Sequence, residues 1–231
     1  MKISYSWIKE FVDLDVDAAA AASALTMSGT EVEEVVHQTV PREVVCARVV
    51  EAKKHPNADK LFLCTVDTGT ETLQVVCGAP NTRSGMMSAF APVGCDLGPG
   101  MLVKKAKIRG EESFGVLLSE RELGLTDDHT GIMEFDVETR PGEALVDALS
   151  LEDWVLDVNV TPNRGDCLSV MGVARELAAL FGTQLKMPAF SIAEDAAAIE
   201  SVLTVEIVDT KGCPRYAARY LNDVKIGKSP F

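Results

Sequence analysis

The 231-residue sequence has no C-x-x-C pair: its six cysteines, Cys46, Cys64, Cys77, Cys95, Cys167 and Cys213, are scattered. That spacing offers no hook for structural zinc or for dithiol redox chemistry. Some of them lie in apolar runs, Val44-Val45-Cys46 and Val75-Val76-Cys77, which predicts buried small hydrophobes in a reducing compartment. Histidine is scarce as well, with three in all. His37 and His129 stand alone, and His55 with Cys77 is the single base and nucleophile that neighbouring motifs juxtapose. P-loop, H-E-x-x-H and G-x-S-x-G patterns are missing. No active site is expected. Apolar runs approaching the roughly 20 residues that span a bilayer are also lacking. Charge breaks the segment Met1 to Glu10 too early for a secretory h-region, so a cytoplasmic chain is expected.

Positive charge is in deficit, with 22 Lys and Arg against 35 Asp and Glu and a formal charge of −13. A nucleic-acid binder draws most of its non-specific affinity from Lys and Arg on phosphates, so such a role needs a local patch. Residues 40–109 supply one: ten cations (Arg42, Arg48, Lys53, Lys54, Lys60, Arg83, Lys104, Lys105, Lys107, Arg109) stand against six acids (Glu43, Glu51, Asp59, Asp67, Glu71, Asp96). This permits a basic face. Hydrophobic content of 47% and charged content of 25% are those of a globular protein. The length suggests one large or two small domains.

Along the chain, residues 1–39 read as a short mixed unit too small to bury a core alone. Asp17 can cap a helix over Ala18 to Ser28, Gly29 can end it, and Thr30 to Val36 looks like a strand. Between Val40 and Leu149 the pattern becomes short β segments: Val44–Ala52, Leu61–Asp67, Leu73–Cys77, Ser88–Val93, Leu102–Ile108 and Phe114–Ser119. Asp67-Thr68-Gly69 supplies a turn. Such a series suits an oligonucleotide-binding (OB) type barrel. Residues 150–190 return to mixed structure, with a strand over Trp154–Val160 and a helix from Cys167 to Phe181 capped by Asp166 and closed by Gly182.

The economical arrangement is an α+β unit made of 1–39 and 150–190, interrupted by an all-β barrel at 40–149. Residues 191–201 read as a linker. Strand candidates Val202–Val208 and Tyr216–Val224 follow without a partner layer, which is marginal. They read as the truncated start of a third domain over 202–231.

Three spaced motifs carry a resemblance: His55-Pro56-Asn57-Ala58-Asp59-Lys60-Leu61, Val75-Val76-Cys77-Gly78-Ala79-Pro80-Asn81 and Lys107-Ile108-Arg109-Gly110-Glu111-Glu112-Ser113-Phe114-Gly115. In that order they resemble the tRNA-binding domain shared by bacterial phenylalanyl-tRNA synthetase beta subunits, some methionyl-tRNA synthetases and small free-standing tRNA-binding proteins. Thr161-Pro162-Asn163-Arg164-Gly165-Asp166-Cys167-Leu168-Ser169 with Gly172-Val173-Ala174-Arg175-Glu176 resembles the synthetase beta subunit in particular. So do Ser6-Trp7-Ile8 and Cys213-Pro214-Arg215-Tyr216. One departure stands out: Gly115-Val116-Leu117-Leu118-Ser119 replaces the family's frequent Gly-Met, small residue, Cys-Ser.

The resemblance implies an N-terminal fragment of that subunit, ending at the entry to an editing domain and contributing RNA contact and scaffold. For the full enzyme it implies ATP-dependent attachment of phenylalanine to tRNA(Phe) with Mg2+, and an alpha subunit in an alpha2 beta2 assembly. It implies no cofactor within the fragment, and neither DNA nor a membrane as partner. The candidate tRNA-binding residues are Lys60, Lys104, Lys105, Lys107, Arg109, His55, Asn57 and Ser113.

On a strand, Lys105, Lys107 and Arg109 would share one face and Lys104, Ala106 and Ile108 the other. A solvated barrel wall explains that pattern as readily as a phosphate track does. His55, Asn57 and Asp59 can equally be turn chemistry. Phe62, Phe90, Phe114 and Phe135 sit in apolar surroundings and read as core, which favours recognition of folded tRNA by shape and backbone over base stacking. A competing reading, favoured by the acidic balance, is an assembly module with little RNA contact.

Overall fold

The computed structural model of the chain describes residues 1–135, 138–194 and 198–227. They form two units, 1–186 and 187 onward. In the first, strand β1 (Lys2–Ser4) runs into helix α1 (Tyr5–Phe11), followed by α2 (Ala18–Met27) and β2 (Glu31–Gln38). Ser4 caps α1 by accepting from the Trp7 amide at 3.0 Å, and Asp17 caps α2 by accepting from the Ala20 amide at 2.7 Å. Gly29, at φ 97°, takes the left-handed step out of α2. The 18–28 helix was legible, whereas α1 was not, because seven residues mixing aromatic and β-branched types carry too little helical period.

After β2 come β3 (Val45–His55), β4 (Ala58–Asp67), β5 (Thr72–Cys77), β6 (Met87–Pro92), β7 (Ala106–Ile108), β8 (Glu111–Ser113), β9 (Gly115–Leu117), α3 (Leu145–Ala148), β10 (Asp153–Asn159) and α4 (Val170–Phe181). Strand β10 lies between β1 and β2 in an antiparallel sheet, with Ile3 opposite Leu156 and Val35 opposite the same residue. Helices α1, α2 and α4 cover this sheet through Ile8, Leu25, Val173 and Leu177, all fully buried against Leu156 and Val158. Helix α4 begins later than the sequence suggests. Its cap is Ser169, which accepts from the Gly172 amide at 3.0 Å, while Gly165–Cys167 forms a separate 3-10 turn. Asp166 is therefore not the cap, since its carboxylate is engaged by Arg164 instead.

Five strands make a nearly closed antiparallel barrel in the order β5-β4-β3-β6-β9. It closes where the Phe114 amide donates to the Gln74 carbonyl at 2.9 Å and the Val76 amide donates to the Ser113 hydroxyl at 3.1 Å. Alternation sorts the side chains. Ala47, Val49, Cys64, Val66, Val75 and Phe90 point into the barrel with Ile132. Cys46, Ala89 and Ala91 point outward, beneath a second core of Val44, Leu118, Met133, Phe135 and Leu145. Leu118, just past the end of β9, is fully buried there, so the residue at this point of the departure still serves the core. The Asp67-Thr68-Gly69 turn forms, with the Gly69 amide donating to Asp67 Oδ1 at 2.9 Å.

Two β expectations shrink. Leu102–Ile108 is a strand over Ala106–Ile108, and Phe114–Ser119 gives way to β8 and β9 on either side of Phe114. In the unit from 187 onward, Val202–Val208 and Tyr216–Val224 are not strands: among the described residues neither has a pairing partner, and Val208, Leu221 and Ile226 are exposed. That unit shows a 3-10 turn at Ile199–Ser201 and a loop in which Asp209 Oδ1 accepts from the Lys211 and Gly212 amides at 3.0 Å. The expected linker and third domain extend over residues 195–197 and 228–231, which lie outside the described residues.

Gly115 marks the tightest point of the barrel. A Cβ there would stand 2.4 Å from the Phe90 ring, itself 1% exposed, and 2.7 Å from the Ala91 carbonyl. Gly115→Ala is expected to lower stability by about 1–3 kcal/mol through overpacking, read as a lower urea midpoint at unchanged slope.

Candidate nucleic-acid interface

Two hairpin tips meet at one edge of the barrel. The first joins β3 to β4 through Pro56 and Asn57, with His55 opposite Ala58 in register. The second joins β7 to β8 through Arg109 and Gly110, at φ 51° and 101°, the doubly positive combination suited to a two-residue hairpin turn. His55 is 5% exposed. Its Nδ1 accepts from the Asn57 amide at 3.0 Å, so Nε2 carries the proton and donates to the Ile108 carbonyl at 3.2 Å. Asn57 Nδ2 donates to the Arg109 carbonyl at 3.2 Å.

The cations line both hairpins. Lys60, Lys104, Lys107 and Arg109 are exposed and make no ion pair among the described residues. Lys105 pairs with Glu112 at 3.0 Å, and Lys53 with Glu51 at 2.8 Å, exposed pairs of little energetic weight. The face assignment fails in part. Period-two alternation holds only over Ala106–Ile108, because Arg109 leaves the strand in the left-handed turn and Lys105 precedes it.

The aromatic expectation is corrected for two residues of four. Phe90 and Phe135 are core, but Phe62 and Phe114 are only half-buried. Lys54 Nζ stands 4.2 Å from the Phe62 ring centre and Lys105 Nζ 4.5 Å from that of Phe114, contacts worth about 0.5–1 kcal/mol at exposed sites. Lys54 and Phe62 face each other across β3 and β4, a juxtaposition visible only once the register is known. Ser113, by contrast, is buried. Its hydroxyl donates to the Gly115 carbonyl at 2.9 Å and accepts from Val76, so it joins the hairpin to β5 and leaves nothing for a ligand.

The second motif is also a joint. Asn81 Nδ2 donates to the Ile132 carbonyl at 2.8 Å and its Oδ1 accepts from the Ile132 amide at 3.0 Å, seating Ile132 in the barrel. Beside it an open groove of about 530 Å³ runs along Gly78, Pro80, Met101, Val116 and His129. Glu122 on its wall accepts from the Ser119 amide and hydroxyl at 2.8 and 2.7 Å.

Among the described residues one cluster has the donor types of a metal site: Asp166, Cys167 and Glu176. A guanidinium already fills it. Arg164 Nη2 lies 2.9 Å from Asp166, 2.6 Å from Glu176 and 3.0 Å from Cys167 Sγ. A thiol beside an arginine does not suit Mg2+, which demands an oxygen octahedron, so these residues do not fit that ion. The ion pairs hold the Arg164 guanidinium protonated and pull Asp166 down to about 2 from its ordinary 3.8, chiefly through the bonds from Arg164. Because the folded value is the lower one, this carboxylate stabilises the fold above pH 4, and that share is lost as pH falls from about 4 towards 2. Asp166→Asn is therefore expected to be less stable than the parent at pH 7 and to converge with it across that window, as measured by urea unfolding.

The cysteines are thiols, five buried and Cys213 half-buried. Burial pushes Cys46 up to about 11 and Cys64 up to about 12. Since the thiolate is the nucleophile, alkylation of the native chain at pH 8 is expected to label Cys213 at once and the other five only after denaturant is added.

Comparison with known proteins finds a family match over the barrel and relatives over the whole chain. Residues 44–144 match the family model described as "Putative tRNA binding domain". Over 100% of its length the chain is 46% identical to the phenylalanine–tRNA ligase beta subunits of Syntrophus aciditrophicus (strain SB) and of Geobacter metallireducens. It is 45% identical to that of Syntrophotalea carbinolica, again over its whole length. It spans 29% of the length of each of these relatives. A solved structure described as a MetRS related protein from Pyrococcus horikoshii aligns at 22% identity, covering 47% of this chain and 89% of that one. Its TM-score of 0.32 is too low to carry weight. With a tRNA-binding segment inside a sequence that matches these subunits from end to end, the chain belongs to the phenylalanine–tRNA ligase beta subunit family.

Proposed function

We propose that the barrel segment holds tRNA by its phosphate backbone along the edge formed by the two hairpins, with Lys60, Lys104, Lys105, Lys107 and Arg109 as the contacting cations. One observation carries the reading. In a chain of formal charge −13, Lys60, Lys107 and Arg109 lie exposed on two bonded hairpins, free of ion pairs among the described residues, with Lys104 just before β7, all within the segment that matches the tRNA-binding family. Phosphate contacts position an RNA without reading its sequence, which suits a module whose chemistry happens elsewhere.

In this reading residues 1–39 and 150–190 form a discontinuous scaffold domain. Residues 40–149 form the OB-type insertion, 191–201 a linker and 202–231 the start of an editing domain. The shared strand β10 and its common core support the scaffold. The parent protein would attach phenylalanine to tRNA(Phe) with ATP and Mg2+ in the cytoplasm, paired with an alpha subunit in an alpha2 beta2 assembly, as its family membership suggests.

The affinity of the chain for a tRNA transcript is expected to be weak and to fall steeply with salt. A variant with Lys104, Lys105, Lys107 and Arg109 changed to Ala should bind more weakly. Its slope of log K against log salt should be shallower by roughly 0.7–0.9 for each phosphate contact removed. Equal binding and equal slopes in both proteins would instead favour an assembly module with little RNA contact.

A further inference from the structure

The motif His55-Pro56-Asn57 carries no cation, yet it is bonded to the hairpin that carries two of the exposed ones. Strands β7 and β8 have three residues each, and a two-stranded hairpin that short does not hold its shape in water. The β8 side is tied to the barrel: Gln74 Nε2 donates to the Glu112 carbonyl at 2.9 Å, and the Ser113 hydroxyl bonds to β5. Among the described residues, the bonds that reach β7 and its turn from elsewhere in the barrel come from His55, to Ile108, and from Asn57, to Arg109. Lys107 and Arg109 flank and fill the positions so held. Arg109 needs the support most, since a side chain at φ 51° is in a conformation that L-residues resist.

We infer that His55 and Asn57 are positioning residues for RNA: they clamp the Lys107–Arg109 hairpin against the β3–β4 tip, so that both sets of cations meet the phosphate backbone as one rigid edge. The inference rests on the tRNA-binding reading above and adds to it a division of labour, in which the cations touch RNA and the motif acts through them. Ordering a loose basic hairpin on binding would cost conformational entropy, and the clamp removes that cost in advance. The geometry also assigns His55 a single useful form. In it Nδ1 accepts from the Asn57 amide while Nε2–H reaches the Ile108 carbonyl.

A double-mutant cycle on the full 231-residue chain tests this, with fluorescence anisotropy of a labelled tRNA transcript as readout. The variants are Asn57→Ala, Lys107→Ala/Arg109→Ala, and all three together. Asn57 is exposed, so its truncation opens no cavity. Asn57→Ala is expected to weaken binding roughly three- to tenfold while keeping the parental salt slope. In the Lys107→Ala/Arg109→Ala background the same change should have almost no further effect. Amide hydrogen exchange over 106–113 should speed up in Asn57→Ala while the unfolding midpoint stays close to the parent's.

Equal losses in both backgrounds would mean that Asn57 touches RNA directly, and no loss in either would mean that the clamp is irrelevant to binding; each overturns the inference. If Lys107→Ala/Arg109→Ala itself leaves affinity and slope unchanged, the tRNA-binding edge has been misplaced and the positioning role goes with it. Loss of binding on adding those two substitutions, with Asn57→Ala fully additive, would keep the edge and remove only the clamp.

Discussion

The antiparallel seating of β10 between β1 and β2 is the constraint on which the rest of unit 1–186 hangs. It joins Ile3 and Val35 to Leu156, residues from opposite ends of the unit, and buries Leu156 and Val158 beneath three helices. None of the contributing stretches could bury such a core by itself. The same pairing sets Gln38 opposite Asp153, so the chain leaves this sheet and returns to it at neighbouring positions. A folded segment whose ends already lie together adds little closure entropy, and so the barrel can be carried between β2 and β10 without straining either part.

Within the barrel, the three motifs that dominate the sequence behave as joints. His55 and Asn57 bond one hairpin tip to another, Asn81 seats Ile132, and Ser113 with Gly115 closes the wall against β5 and Phe90. Apart from the exposed Asn57, these polar groups are buried or half-buried and have partners far away in sequence. Such a group becomes costly if one partner is lost. Among the described residues, the exposed cations beside the two bonded hairpin tips that carry no ion pair include Lys60, Lys107 and Arg109.

This arrangement reconciles an acidic chain with an RNA-binding family. A net charge of −13 governs long-range behaviour, but screening confines it to about 8–10 Å at ordinary salt, so a local basic edge can still meet phosphate at close range. Glu112 and Glu51 are taken up by Lys105 and Lys53, whereas Asp59 beside Lys60 and Glu111 beside the β7–β8 turn stand closer to the tips. The acidic remainder lessens attraction to nucleic acid elsewhere on the surface. The potential metal cluster at Asp166, Cys167 and Glu176 is likewise occupied from within, by Arg164.

Local physics was readable from the residues alone. Asp17 as a cap, Gly29 and Gly182 as helix ends, the Asp67 turn and four of the longer barrel strands follow from propensity and period, which act over a few neighbours. The resemblance carried by three spaced motifs identified the family. Tertiary structure decided what depends on register and on distant partners: that Ser169 caps α4 because Arg164 claims Asp166, and that Val202–Val208 is no strand without a neighbour. It also decided that Phe62 and Phe114 lie beneath lysines, that His55 and Ser113 bond within the barrel, and that Asn57 gives one N–H to the Arg109 carbonyl. A side chain's type and spacing fix what it can bond to; only the folded chain fixes which partner, often about fifty residues away, comes within hydrogen-bonding reach.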